Sequence, residues 1–299
     1  MRVAIAGGTG FLGSVLTRLL EENGHEAIIL TRRPMTSGEF PTVGYLTEGA
    51  SPEQELGKVD AFVNLAGTSI NAGRWTKRRK QDILSSRIAA TDEVVRIISK
   101  MEKKPEVLVN ASAIGLYPTS PTAIYNEEGP SGNDFLADVV KTWEHHAAKA
   151  GKDGIRTVFM RFGVILGKED GALPLIALPY RLYAGGTVGS GRQWVSWIHV
   201  LDAARAILFA IEDQSLAGPV NVVAPNPLRM KEFGKTVGRV LGRPHILPVP
   251  AFALKAILGE KSKLVLEGQR VAPSKLGSQG FRFLFPEADE ALADLLISE

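Results

Sequence analysis

The chain has 299 residues, 44% hydrophobic and 22% charged, the balance of an ordinary globular protein long enough for one large or two interleaved domains. A formal charge of +3 is too small to argue for nucleic acid, although it suits an anionic ligand. The absence of cysteine removes disulfides, thiol nucleophiles and cysteine-based metal sites together.

In chain order, the first readable element is the apolar run Val3-Ala4-Ile5-Ala6, a buried parallel strand by its composition. Gly7-Gly8-Thr9-Gly10-Phe11-Leu12-Gly13 follows directly, and a helical pattern begins at Ser14. Strand, glycine turn and helix in that order form a pyrophosphate cradle. Glycine lets the backbone approach a phosphate closely, and the helix offers unpaired N–H groups and the positive end of its dipole. Both Gly8-x-Gly10-x-x-Gly13 and Gly7-x-x-Gly10-x-x-Gly13 fit dinucleotide spacings, and both share Gly10 and Gly13. With this strand starting at residue 2, no leader peptide is expected. No run approaches the length of a membrane span. The expected location is therefore cytoplasmic.

Glu26 to Thr31 reads as the second strand, ending at Thr31-Arg32-Arg33. A carboxylate at this strand end would accept from the ribose 2′-OH and repel a 2′-phosphate. Two guanidinium groups favour the phosphate by charge and bidentate hydrogen bonding, so the expected cofactor is NADP(H), with Arg32 and Thr31 as contacts. Ala61 to Gly67 reads as another strand. A helix then runs through Ser86 to about Lys100, preceded by Lys77-Arg78-Arg79-Lys80, a basic run whose simplest reading is a solvated helix entrance. Arg87, deeper in that helix, is the better cofactor contact. Glu106 to Ala111 and Arg156 to Arg161 flank a helix from Phe135 to Ala150. Repeated strand–helix–strand units imply a Rossmann-type, doubly wound parallel sheet. Glycine and proline become frequent after about Gly167. Residues 1–167 are accordingly expected to form the NADP(H)-binding domain, to which later segments return, and 168–299 a smaller, mixed substrate region. Val220–Val223 is a plausible strand there, Met230–Leu241 a plausible helix, and Leu247-Pro248-Val249-Pro250 opens a final, mostly helical segment.

His145 and His146 are adjacent and point about 100° apart on a helix, so they cannot form the i, i+4 pair of a zinc helix, and no metal site is expected. Trp194, Trp197 and His199 follow the glycine-rich run Gly185 to Gly191 and suit either a pocket lining or a core. Glu127 and Glu128 read as solvated loop carboxylates.

Taken together these residues resemble the extended and atypical short-chain dehydrogenases/reductases, the NAD-dependent epimerase/dehydratase superfamily. The resemblance lies in the glycine turn, Asn64-Leu65-Ala66-Gly67, Ser112 to Tyr117, and Trp197-Ile198-His199-Val200 with Asp202. Ser86-Arg87-Ile88, Ser112 to Gly115, Asp134-Phe135-Leu136 with Trp143-Glu144, and Gly189-Ser190-Gly191 are similar to its epimerase family protein subgroup. Leu266 to Val271 and Gly280-Phe281 with Phe285-Pro286 resemble that subgroup's C-terminal domain of unknown function. The resemblance implies a Rossmann fold with NADP(H) held by Gly7, Thr9, Gly10, Phe11, Leu12, Gly13, Thr31, Arg32, Leu65, Ala66, Gly67, Arg87 and Leu136. It also implies a Tyr-x-x-x-Lys proton-transfer pair, from which this chain departs: Leu136 stands at the tyrosine position and Val140 at the lysine position. Lys141 is rotated about 100° off that face, and Ala113 stands at the usual hydroxyl position. Proton transfer would then fall to Tyr117, Ser112, His199 or a bound water, in that order, although the plainer reading of each side chain is structural. The expected function is that of an NADP(H)-dependent oxidoreductase or epimerase, moving hydride between nicotinamide and an unknown carbonyl or sugar-nucleotide-like substrate. The alternative is a non-catalytic NADP(H)-binding sensor. Nucleic-acid binding through Lys77 to Lys80 is the least favoured reading, and the oligomeric state is open.

Overall fold

The computed structural model describes residues 1–34 and 38–297. Numbering the strands of the main sheet and the helices of eight or more residues, the order begins β1 (Arg2–Ala6), α1 (Phe11–Glu22), β2 (Glu26–Thr31), β3 (Thr42–Gly44), β4 (Ala61–Asn64) and α2 (Lys77–Lys100). It continues β5 (Val107–Ala113), α3 (Phe135–Ala147), β6 (Arg156–Phe162), α4 (Leu173–Arg181), α5 (Val200–Glu212) and β7 (Gly218–Val222). Three C-terminal helices follow, α6 (Met230–Leu241), α7 (Ala251–Leu258) and α8 (Ala288–Ile297). The sheet runs β7-β6-β5-β4-β1-β2-β3, and every neighbouring pair is parallel.

The apolar runs form this sheet because both faces are covered, the condition that parallel strands require. Successive residues of β1 go to opposite sides. Val3 and Ile5 join a core with Leu16 and Leu20 of α1 and Ala203 and Ile207 of α5. Ala4 and Ala6 join a second core with Val94, Ile97 and Ile98 of α2. A third core, built from Tyr180, Trp197, Phe233 and Leu292, lies in the C-terminal region.

The expected α/β class and doubly wound parallel sheet are what the chain forms. Beyond residue 167, α5 packs on α1 and β7 completes the sheet beside β6. Several elements were not legible in the sequence pattern, among them α4 and two short strands. Strand β3 and the short strand Val164–Leu166 each have three residues, too few to show a period. Helix α2 starts at Lys77, so the basic run forms its first turn, and the Thr76 side chain caps it by accepting a hydrogen bond from the Arg79 N–H.

Candidate cofactor and substrate site

The strand order reverses between β1 and β4, and open α/β sheets bind ligands beyond the carboxyl ends of their strands at such a point. Two of the glycines are there for space. Gly7 has φ +86°, and an added Cβ would lie 2.9 Å from Ala66 N and from the Leu65 carbonyl carbon, so the turn after β1 rests directly against the chain leaving β4. A Cβ on Gly13 would lie 2.2 Å from Gly7 O, so glycine lets α1 start beneath its own turn. Gly10 differs. It is exposed, and only Gly7 O, at 3.2 Å, approaches its Cβ position. It caps α1 without a side-chain hydrogen bond, and the first turn carries no acidic residue. The helix's own first turn thus sets no carboxylate against its orphan N–H groups and positive dipole end, which suits a pyrophosphate site. Thr9 is exposed beside Gly10, Leu12 is buried, and Phe11 packs where a Cβ on Gly167 would otherwise lie.

A buried amide network fixes the end of β4. Asn64 Nδ2 donates to Thr91 Oγ1 at 3.0 Å and to Asn110 Oδ1 at 2.7 Å, and Asn64 Oδ1 accepts from the Ala66 N–H at 3.2 Å. These bonds hold the Leu65-Ala66-Gly67 backbone at the crevice. Arg87 lies below it, where a Cβ on Gly67 would come within 3.2 Å of its Cγ. Its Nη1 donates to the carbonyls of Thr68 and Ile83, and the guanidinium sits 4.9 Å over the Trp143 ring. The Nε atoms of Arg87 and Arg79 are both buried without a hydrogen-bond partner. Burial pulls the Arg87 pKa down to about 10, and the Arg79 charge adds to the effect. Two neighbouring guanidiniums, each held by backbone carbonyls and each with an unpartnered Nε, suit an anion.

At the end of β2, Thr31 Oγ1 accepts from the Arg33 N–H at 3.2 Å, and Arg32 and Arg33 are exposed. Leu136 of α3 lies against the turn after β5, with its Cβ 3.3 Å from the Cβ position of Gly115. Val140 is buried on the same face of α3, while Lys141 turns outward to pair with Asp138 at 2.8 Å.

The side chains expected to move a proton have other partners. Ser112 donates to Glu144 Oε1 at 2.6 Å, and Arg161, opposite Ser112 on β6, holds both carboxylate oxygens of Glu144. Tyr117 is 1% exposed and stacked on Tyr125. Its hydroxyl donates to Asn221 Oδ1 at 2.7 Å and accepts from Arg161 Nη1 at 2.9 Å. Burial pushes the phenol pKa up, against the lowering influence of Arg161. Both hydroxyls are engaged inside the protein, in a polar network that ties α3, β5, β6 and β7 together. His199 is engaged likewise. It is 3% exposed, its Nδ1 accepts from the Leu201 N–H to cap α5, and its Nε2 faces Asp294 at 3.2 Å. Trp197 is fully buried, whereas Trp194 is half-buried beneath the Arg229 and Arg270 guanidiniums. Glu127 is buried rather than solvated and accepts from the N–H groups of Asn221 and Lys275. Among the described residues no His, Asp and Glu cluster suits a metal, and no helix is long and apolar enough to cross a membrane.

Beside Leu136 opens a cleft of about 440 Å³, walled by Trp75, Phe135 and Lys80 on one side and by Glu260 and Lys263 of the C-terminal region on the other. The basic run behaves differently from its expected solvated state: Lys77 and Arg78 are exposed, but Arg79 turns in to Ser69 O and Lys80 pairs with Glu260. A helical face running through Arg79, Lys80, Ile83 and Arg87 carries the sequence signal for this inward turn. Glu144 and Arg161 left no such signal, because their pairing depends on how α3 lies on the sheet.

Residues 3–223 match the family model described as the NAD dependent epimerase/dehydratase family. The chain belongs to that family. Residues 249–295 match a second model, a domain of unknown function, DUF1731. Epimerase family protein YfhF of Bacillus subtilis (strain 168) is 51% identical over 299 residues, 99% of this chain and 98% of that protein. The crystal structure of human epimerase family protein SDR39U1 (isoform 2) with NADPH superposes with a TM-score of 0.90 at 35% identity, covering 99% of both chains. UDP-glucose 4-epimerase from Thermus thermophilus, in complex with NAD, shares the fold at a TM-score of 0.75 and 19% identity, covering 99% of this chain and 98% of that one. This epimerase family protein thus combines the Rossmann unit and C-terminal domain that the sequence motifs resembled.

Proposed function

We propose that this epimerase family protein binds NADP(H) in the β1–α1 crevice and transfers hydride between its nicotinamide and a carbonyl or carbinol substrate entering beside Leu136. The observation that carries the reading is the cradle itself: a turn only glycine can make, a helix start free of acidic groups, and the orphaned guanidinium nitrogens of Arg87 and Arg79. The Gly10 to Gly13 backbone would hold the pyrophosphate, with Thr9, Phe11 and Leu12 shaping the turn. Arg32 and Thr31 would take the 2′-phosphate, Leu65 to Gly67 and Arg87 would contact the ribose and phosphates, and Leu136 would pack on the nicotinamide. When bound, the cofactor supplies a hydride donor or acceptor. The chain's own part is to position the substrate and exclude water. The human relative solved with NADPH supports the choice of phosphorylated cofactor. Calorimetry with NADPH and NADH tests it: preferential NADPH binding is expected, and no heat with either overturns it.

A second reading, a non-catalytic NADP(H) sensor, is favoured by the commitment of the Ser112, Tyr117 and His199 polar groups to internal partners. Steady NADPH oxidation with any member of a carbonyl panel excludes it. Tight NADPH binding without turnover across the panel supports it.

A further inference from the structure

The cleft beside Leu136 contains an internal anion. Lys80, in the first turn of α2, pairs with Glu260, which stands just after α7 in the C-terminal region. The Glu260 side chain is 58% exposed and that of Lys80 27%, so water competes with the pair and it holds the two regions together only weakly. Two further contacts reinforce the closure: Lys261 donates to Asn71 O and Arg74 to Ala256 O. Both use backbone carbonyls and leave Glu260 free to move.

The remaining lining defines what could replace it. Lys263 also faces the cleft and has no ion-pair partner among the described residues, although its charge helps to lower the Glu260 pKa. The other carboxylate, Asp134, is occupied, since it accepts from the Ala137 N–H and caps α3. Trp75 and Phe135 meet edge to face at 5.5 Å, and Lys80 lies 5.2 Å over the Phe135 ring. Trp75 Nε1 is satisfied by Ile70 O, so the indole serves as an apolar wall. Two ammonium groups, aromatic walls and one displaceable carboxylate describe a site for a small carboxylate with a flat or apolar body.

Resting on the reading that the substrate enters beside Leu136, we propose that the substrate bears a carboxylate, which takes the place of Glu260 on Lys80 with Lys263 as second cation. Glu260 then acts as a stand-in that occupies Lys80 until the acid arrives. Exchange of one carboxylate for another on Lys80 needs no proton or electron transfer.

The test uses the full chain saturated with NADP⁺, so that no reduction occurs, and calorimetry with 4-acetylbenzoate and its neutral methyl ester. The acid should bind about tenfold more tightly than the ester. Glu260→Gln should tighten the acid about fivefold and leave the ester unchanged. Lys80→Gln and Lys263→Gln, each with unaltered NADP⁺ affinity and melting temperature, should weaken only the acid. Equal binding of acid and ester, or weaker acid binding by Glu260→Gln, overturns the proposal while leaving the cofactor reading intact. Failure of the unmutated chain to bind NADP⁺ overturns the cofactor reading and this proposal with it.

Discussion

A valine at Gly10 would project its branches into the exposed mouth of the turn after β1, where only Gly7 O approaches the new Cβ. Gly10→Val should therefore fold normally and lose NADPH binding by calorimetry, because the added carbons occupy the space a pyrophosphate needs. Arg32→Glu tests the other end of the cofactor. Reversing an exposed charge at the end of β2 should weaken NADPH by about tenfold or more and NADH little, since a phosphate–guanidinium hydrogen bond contributes more than a neutral one. Equal losses would show that Arg32 does not read the 2′-phosphate. Tyr117→Phe separates a structural phenol from a catalytic one. It removes the donor to Asn221 and an acceptor for Arg161, and should cost about 1–3 kcal/mol in chemical denaturation. NADPH affinity and any turnover should persist. Lost turnover at unchanged stability would make Tyr117 a proton donor.

At the scale of elements, caps and close approaches decide where helices begin and what they touch. Helix α5 begins on the His199 side chain, whose Nδ1 must be unprotonated to accept from the Leu201 N–H. Burial lowers this imidazole's pKa below its ordinary 6.5, outweighing the raising effects of Asp294 and Asp202. The folded chain thus holds fewer protons at this site than the unfolded chain when pH falls below about 6.5. The stability His199 contributes is present above that pH and is lost as acidification carries it through the lower folded pKa. Thermal melts across pH 5 to 8 should show this loss as a steepening that flattens in His199→Asn, in which the amide oxygen can still cap the helix. A slope unchanged by the substitution would assign the acid sensitivity elsewhere.

Across the whole molecule, the C-terminal region is fastened to the Rossmann unit by buried polar groups. Asp202 of α5 is fully buried, accepts from the Leu284 and Phe285 N–H groups at 3.0 and 2.9 Å, and pairs with Arg205 at 2.8 Å. Arg205 in turn donates to Arg282 O. Asp202→Ala should destabilise the protein by about 3–5 kcal/mol, since it leaves Arg205 without its carboxylate and two backbone donors unpaired. Limited proteolysis should then cut first between β7 and α8. A cleavage pattern identical to that of the unmutated chain would mean that the apolar contacts of α8 suffice.

The cradle and the sheet were legible in the residues because each rests on local backbone physics. Gly7 at positive φ, Gly13 beneath the turn, the apolar runs of β1, β4 and β5, and the 3.6-residue pattern of Met230–Leu241 all depend on neighbours within a few residues. The fate of the remaining polar side chains was decided only by the fold. Tyr117 meets Asn221 across 104 residues, Ser112 meets Glu144 across 32, and Lys80 finds Glu260 in another region of the chain. Hydroxyls, guanidiniums and carboxylates change role with burial and partner, and those are set by how distant segments pack.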